Sequence, residues 1–117
     1  MYYSNGTMPE EITFNDFVRL DIRIGTIIAA EKVPETDKLI KCTVDFGELG
    51  QRTIVSGIAE WKAPGDLIGK QCPYVVNLAP RVLRGIESQG MLLAGSDESG
   101  VALIHPERGV TPGTRVK

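Results

Sequence analysis

Val18-Arg19-Leu20-Asp21-Ile22-Arg23-Ile24-Gly25-Thr26-Ile27-Ile28-Ala29-Ala30 is the stretch that decides the fold. Val18, Leu20, Ile22 and Ile24 alternate with Arg19, Asp21 and Arg23. One side of the segment is therefore apolar and the other charged, the period-two pattern of a half-buried strand. At Gly25 the phase breaks and a second apolar run, Ile27 to Ala30, begins. A glycine that resets the alternation inside a long strand predicts a bulge or sharp bend there. Bent strands let a small sheet curl onto itself. Pro34-Glu35-Thr36-Asp37 ends the run with turn chemistry.

Downstream, Ile40, Cys42, Val44 and Phe46 alternate with Lys41, Thr43 and Asp45 and predict a second strand. Gly47-Glu48-Leu49-Gly50 reads as a hairpin loop and Arg52 to Val55 as the returning third strand. Residues 58–70, with Trp61, Pro64-Gly65 and Gly69, read as short helical turns. Tyr74 to Leu78 is a fourth strand with Pro73 suited to its first position, followed by a connection from Ala79 to Gln89. Met91 to Ala94 and Val101 to Ile104 complete the set, and the Pro- and Gly-bearing stretch from His105 to Lys117 reads as loop with a short terminal strand. Three strands, a helical interruption and two or three more strands describe an all-β, five- to six-stranded Greek-key barrel of the OB type, with short helices and a C-terminal extension.

Upstream, residues 1–11 are polar and read as a flexible tail. Thr13 and Asp16 resemble a capping box for a helical turn, whose Phe14, Phe17 and Val18 are expected to close one end of the core. Residues 12–117 then form a single domain. A chain of 117 residues suits one hydrophobic core. No run approaches the ~20 apolar residues that span a bilayer, and the polar start has no signal-peptide pattern. A cytoplasmic location without membrane contact is the expectation. Two cysteines thirty positions apart, with no C-x-x-C, read as reduced, partly buried thiols.

The inventory for catalysis is thin. His105 is the single histidine and has no evident partner for base chemistry. Gly65-Asp66-Leu67-Ile68-Gly69-Lys70 is one residue short of a phosphate loop and is followed by Gln71 rather than Ser or Thr. No catalytic residue, metal or cofactor is expected, and the chain reads as a binding module.

An OB barrel binds strands of nucleic acid or sugar on its second and third strands, flanked by the one–two and four–five loops. Lys38 ends the one–two loop (Pro34 to Lys38), Lys41 and Arg52 face outward on the strands, and Arg81 and Arg84 lie in the four–five loop. Five of the thirteen basic residues thus fall on one surface, although the net charge is −2. Local enrichment lets an acidic protein bind phosphates; the competing reading is a merely solvated face. Phe14, Phe17 and Phe46 are expected in the core, and Tyr2 and Tyr3 in the tail. That leaves Trp61 and Tyr74 as stacking platforms or partial core anchors. So few platforms favour a folded RNA over an extended single strand.

Asp21-Ile22-Arg23-Ile24-Gly25, Asp37-Lys38-Leu39, Val44-Asp45-Phe46-Gly47, Ile54-Val55-Ser56-Gly57-Ile58, Asn77-Leu78-Ala79-Pro80-Arg81, Arg84-Gly85 and Ser88-Gln89-Gly90-Met91 occur in this order. In these motifs the sequence, from about Ile12 to Lys117, resembles the tRNA-binding OB domain of many bacterial methionyl-tRNA synthetases. The same domain occurs in free-standing small tRNA-binding proteins and in the endothelial-monocyte-activating polypeptide group. The resemblance implies a homodimer that binds tRNA by its folded shape, largely independently of sequence, alone or with a methionyl-tRNA synthetase catalytic chain. It places Lys38, Asn77, Arg81, Arg84, Ser88 and Met91 toward RNA. Met91 could equally pack in the core, and Asn77 and Ser88 could equally close the loop through backbone hydrogen bonds. Residues after Val101 are expected in the dimer interface. Many members carry His-Pro before the Asp-Lys-Leu motif and a second basic residue after Pro-Arg; here Val33-Pro34-Glu35-Thr36 and Val82 stand instead. The alternative is a dimeric, export-related chaperone for unfolded polypeptides, whose family shares the Asp21-to-Gly25 segment.

Overall fold

A computed structural model describes residues 9–117. The expected tail therefore lies mostly outside the described residues, with Tyr2 and Tyr3, and residues 9–11 are exposed. Thr13 caps a single turn, α1 (Phe14–Phe17): its hydroxyl accepts from the Asp16 N–H at 3.1 Å, and the Asp16 carboxylate accepts from the Thr13 N–H at 3.3 Å. The capping box is present, but the turn does not fill the core. Phe14 is 75% exposed and Phe17, Val18 and Leu20 are exposed beside it. One turn lying outside the barrel has no room to direct two phenylalanines inward.

The barrel is built from β1 (Ile22–Lys32), β2 (Ile40–Asp45), β3 (Gln51–Ser56), β4 (Gln71–Val75) and β7 (Met91–Leu92), in the order β3-β2-β1-β4-β7. This is the OB-fold arrangement, all-β with short helical turns. The helical interruption before β4 contains α2 (Pro64–Leu67). β1 changes partners part-way along: Ile22 to Thr26 pair with β4, and Thr26 to Lys32 pair with β2. The bulge lies at Ile28, three residues beyond the glycine expected to mark it. Gly25 answers a different need. A Cβ there would collide with the Val44 side chain and come within 2.6 Å of the Phe46 ring, so only glycine lets β1 cross the core this closely. Phe46 and Tyr74 meet edge to face, with centroids 5.4 Å apart, at the centre of a core that includes Ile40, Val44, Ile54 and Leu67. Cys42 and Cys72 are free and buried there, and burial pushes both thiols up to about 11, which leaves them unreactive.

Pro73 is the third residue of β4 rather than the first. Its carbonyl accepts from Leu93 at 3.0 Å, on the side where β7 pairs only with Tyr74 and Val75. The missing N–H of proline would face that same side, past the end of the ladder, so nothing is lost. The connection from Ala79 to Gln89 is itself a hairpin, β5 (Arg81–Leu83) and β6 (Ile86–Ser88). Arg84 and Gly85 between them both have positive φ, 51° and 79°, the two-residue turn whose twist suits antiparallel strands. The expected fifth strand divides into β7 and β8 (Ala94–Asp97), and β8 pairs with β9 (Gly100–Leu103).

Ser88 and Gln89 close the barrel. The Ser88 hydroxyl accepts from the Val55 N–H at 2.9 Å and donates to the Gly90 carbonyl at 3.3 Å. The Gln89 N–H donates to the Thr53 carbonyl at 2.8 Å, while its side-chain oxygen accepts from the Thr53 N–H at 3.0 Å. Two residues thus stand in for a strand on the free edge of β3.

The C-terminal stretch is clamped along the barrel. Gln71 accepts from the Val110 N–H at 3.0 Å and donates to its carbonyl at 2.7 Å. β10 (Arg115–Val116) pairs with β1. Arg23 donates to Asp21 at 2.7 and 3.3 Å and to the Gly113 carbonyl at 3.1 Å, with Arg115 3.9 Å from the same carboxylate. The Arg23 guanidinium holds the Asp21 carboxyl below its ordinary 3.8, against a smaller opposing effect of burial. A carboxylate with a depressed folded pKa stabilises fully above its unfolded value and loses that contribution as pH falls through the folded one. Asp21→Asn should therefore be about 0.5–1 kcal/mol less stable than wild type at neutral pH. The gap should close below about pH 3.8, as measured by urea unfolding across pH.

Candidate nucleic-acid interface

The β5–β6 hairpin lies beside β3 because Ser88, the last residue of β6, is hydrogen-bonded to Val55. Arg81 sits across the hairpin from Ser88, and both line a pocket with Val55, Leu78, Ala79, Gly90 and Met91. Arg81 and Met91 also line the adjoining groove, which runs along Val55 to Ile58 and on to Ser96 and Val101. Lys38 does not line this groove but is tied near its Ile58 end, where its carbonyl accepts from the Ala59 N–H at 3.0 Å. Arg84 stands at the hairpin tip, exposed. A non-glycine residue in the left-handed region costs about 1 kcal/mol or more, so the turn carries Arg84 at the expense of local stability.

The eight residues expected at the interface divide into two groups. Lys38, Arg81, Arg84 and Met91 are exposed, and none of the three cations is in an ion pair among the described residues. The other four are engaged with the protein itself. Lys41 lies 3.4 Å from Glu31. Arg52 donates to the Val76 carbonyl at 2.6 Å, tying β3 to the end of β4. Asn77 donates to the Arg19 carbonyl at 2.6 Å and accepts from the Asp21 N–H at 2.8 Å, and Ser88 is buried in the closure. These four shape the surface that the first group displays.

Three apolar side chains are exposed on the hairpin and beside it. Val82, 69% exposed, alternates with Arg81 along β5, and Leu78 and Met91 are exposed nearby. Val82 is legible only as a missing charge, and Leu78, expected inside the fourth strand, lies beyond it because β4 begins and ends three residues earlier than the pattern predicts. Of the two candidate platforms, Tyr74 is buried against Phe46, whereas Trp61 is 45% exposed with its ring over Gly100. His105 faces the Gln71 carbonyl at 2.7 Å, so its Nδ1 carries the proton and the ring anchors the C-terminal stretch. Among the described residues no cluster of three metal-ligating side chains occurs, and no helix is long and apolar enough to cross a membrane.

Residues 22–115 match the family model "Putative tRNA binding domain". The chain belongs to this tRNA-binding domain family. It is 52% identical over 109 residues to a methionine–tRNA ligase of Porphyromonas gingivalis, covering 92% of this chain and 16% of that protein. The chain thus spans about a sixth of the length of the curated ligases it matches. Among solved structures, a MetRS-related protein from Pyrococcus horikoshii superposes with a TM-score of 0.87 at 43% identity, covering 93% of this chain and all of that one. The chaperone CsaA of Bacillus anthracis superposes with a TM-score of 0.84 at 36% identity, covering 92% and 100%. Family membership fits the displayed cations of the tRNA-binding domain, and both neighbours share its barrel.

Proposed function

We propose that this tRNA-binding domain holds folded tRNA by its backbone, without sequence readout and without chemistry of its own. We infer further that it serves a methionyl-tRNA synthetase catalytic chain, as an appended domain or a separate partner. The observation that carries the reading is that Lys38, Arg81 and Arg84 are exposed and in no ion pair among the described residues, on a chain whose net charge is −2, with Arg81 lining the groove. Such a surface neutralises phosphates and gains from counterion release. Scarce base-stacking platforms point to shape rather than sequence as the feature recognised. An electrophoretic shift with total cellular tRNA tests it. Retardation competed by bulk tRNA and not by an equal mass of duplex DNA supports the reading; no retardation refutes it.

A second reading has an observation of its own. Leu78 and Met91 are exposed beside Arg81, Val82 is exposed on the other face of the hairpin, and exposed apolar side chains of this kind suit an unfolded polypeptide. Suppression of client aggregation without tRNA retention would favour it over RNA.

The same proposal includes a homodimer. Phe14, Phe17, Val18 and Leu20 are exposed in one short stretch, and Val116 lies beside them through the pairing of β10 with Ile22. Leu20 donates to Phe17 and receives the Arg115 guanidinium at 3.5 Å, so the patch is continuous. A second copy placed there would bury what the barrel leaves uncovered. Sedimentation should give twice the 12.7 kDa chain mass at micromolar concentration, and Phe14→Asp with Val18→Asp should return monomers.

A further inference from the structure

We propose that a second phosphate-binding cleft, formed by Lys70 and Arg108 with Lys62 at its approach, continues the tRNA track away from the β5–β6 hairpin. It rests on the tRNA reading above and adds a site to it. The cleft is about 240 Å³ and is lined by Gly69, Lys70, Gln71, His105, Arg108 and Gly109. Its two walls are held by one residue. The Gln71 carbonyl accepts from His105, and the Gln71 side chain takes both backbone groups of Val110. The loop that carries Arg108 is thereby pinned at both ends against the strand that begins after Lys70. Gly69 is fixed in turn by its N–H to the Ile27 carbonyl at 2.7 Å. A site on such supports needs little ordering when a ligand arrives.

Neither cation of the cleft has a carboxylate partner among the described residues, and Arg108 donates only to the carbonyl of its neighbour Gly109, at 3.2 Å. Arg23, Lys41 and Arg115 have carboxylate partners, and Arg52 is tied to a backbone carbonyl. Lys62, Lys70 and Arg108 form no ion pair among the described residues, and Lys70 and Arg108 are exposed. Asp66 is the one carboxylate lining the approach, on the side of Lys62.

The cleft opens into a depression at Trp61, and Trp61 is tied by its backbone to the end of the first groove. Ile58 lines the groove that holds Arg81, and the Trp61 N–H donates to the Ile58 carbonyl at 3.0 Å. Trp61 then lines the next depression with Lys62, Lys70 and His105, and Lys70 and His105 pass into the cleft with Arg108. A ribose-phosphate chain following this path meets cations at both ends and an exposed indole between them.

The test titrates fluorescently labelled total tRNA with wild type, with Lys70→Glu/Arg108→Glu and with Arg81→Glu/Arg84→Glu. Each phosphate neutralised near 0.1 M salt is worth about eightfold in affinity, so the cleft variant should bind at least about tenfold more weakly. Its plot of log affinity against log salt should be shallower by about two. Affinity within twofold of wild type, with the hairpin variant weakened, overturns the cleft and leaves the tRNA reading standing. If neither variant is weakened, both fall. Lys70→Ala/Arg108→Ala serves if charge reversal disturbs the fold, judged by circular dichroism, with the same expected direction. Trp61 is the single tryptophan, and its emission should change on adding unlabelled tRNA; unchanged emission at saturation overturns the proposal.

Discussion

Arg81→Glu with Arg84→Glu should weaken tRNA binding by at least about a hundredfold while leaving the thermal midpoint within a few degrees of wild type. Two phosphates lose their partners, about sixtyfold on counterion release alone near 0.1 M salt, and two new anions repel the backbone. The fold tolerates the change because neither guanidinium is among the hydrogen bonds or ion pairs that hold the barrel. What fixes the hairpin is backbone pairing and the Ser88 hydroxyl on Val55. Arg84 already occupies a left-handed conformation, so glutamate inherits a strain that is present in the wild type. A fluorescence titration in which the double variant stays within threefold of wild type would remove these residues from the interface.

The largest effect on stability is expected at Gly25. A valine there would drive its Cβ into Val44 and the Phe46 ring, at the point where β1 leaves β4 for β2. Both obstacles are fully buried, and Phe46 is held edge-on by Tyr74, so neither can swing aside. Overpacking of this severity costs about 3 kcal/mol or more, a large share of the roughly 5–15 kcal/mol available to a domain. The thermal midpoint should fall by about 10–20 °C. Gly57 supplies the control, since a Cβ there meets nothing within 4 Å. Gly57→Ala should lie within about 0.5 kcal/mol of wild type. Equal stability of the two variants would show that the close approach at Gly25 is not what shapes the barrel.

These residues also show what was legible beforehand. The alternation in β2 places Ile40, Cys42 and Val44 inward on its own, because period two leaves no freedom once one face is apolar. By contrast, β3 buries the successive Ile54 and Val55, and Val18 and Leu20 precede β1 and are exposed. The break at Gly25 was visible, though its cause was not: a one-residue offset at Ile28 and a steric demand from Phe46 leave the same mark in the pattern. The hairpin at Arg81–Ser88 was hidden because two three-residue strands are too short to show a period. Its one signal is Arg84-Gly85 set between Val82-Leu83 and Ile86. Phe14 and Phe17 misled because apolar spacing marks a face and does not tell whether the barrel covers it.

The candidate interface was partly legible for the same reason. Lys38, Arg81 and Arg84 follow from where an OB barrel leaves its loops open. Arg52, Asn77 and Ser88 stand at neighbouring positions, yet their polar atoms are taken up by carbonyls and N–H groups from distant strands. Nothing in local sequence distinguishes a side chain that meets a ligand from one that meets its own backbone. Gln71 went unnoticed on the same grounds, although it clamps the C-terminal stretch.

The salt dependence of tRNA binding tests the account most directly, because the central claim is that unpaired cations on an acidic chain do the holding. With three to five phosphates neutralised, log affinity should fall against log salt with a slope of about −2.5 to −4.5. A slope near zero between about 50 and 200 mM salt, or no binding of tRNA at either concentration, would contradict it.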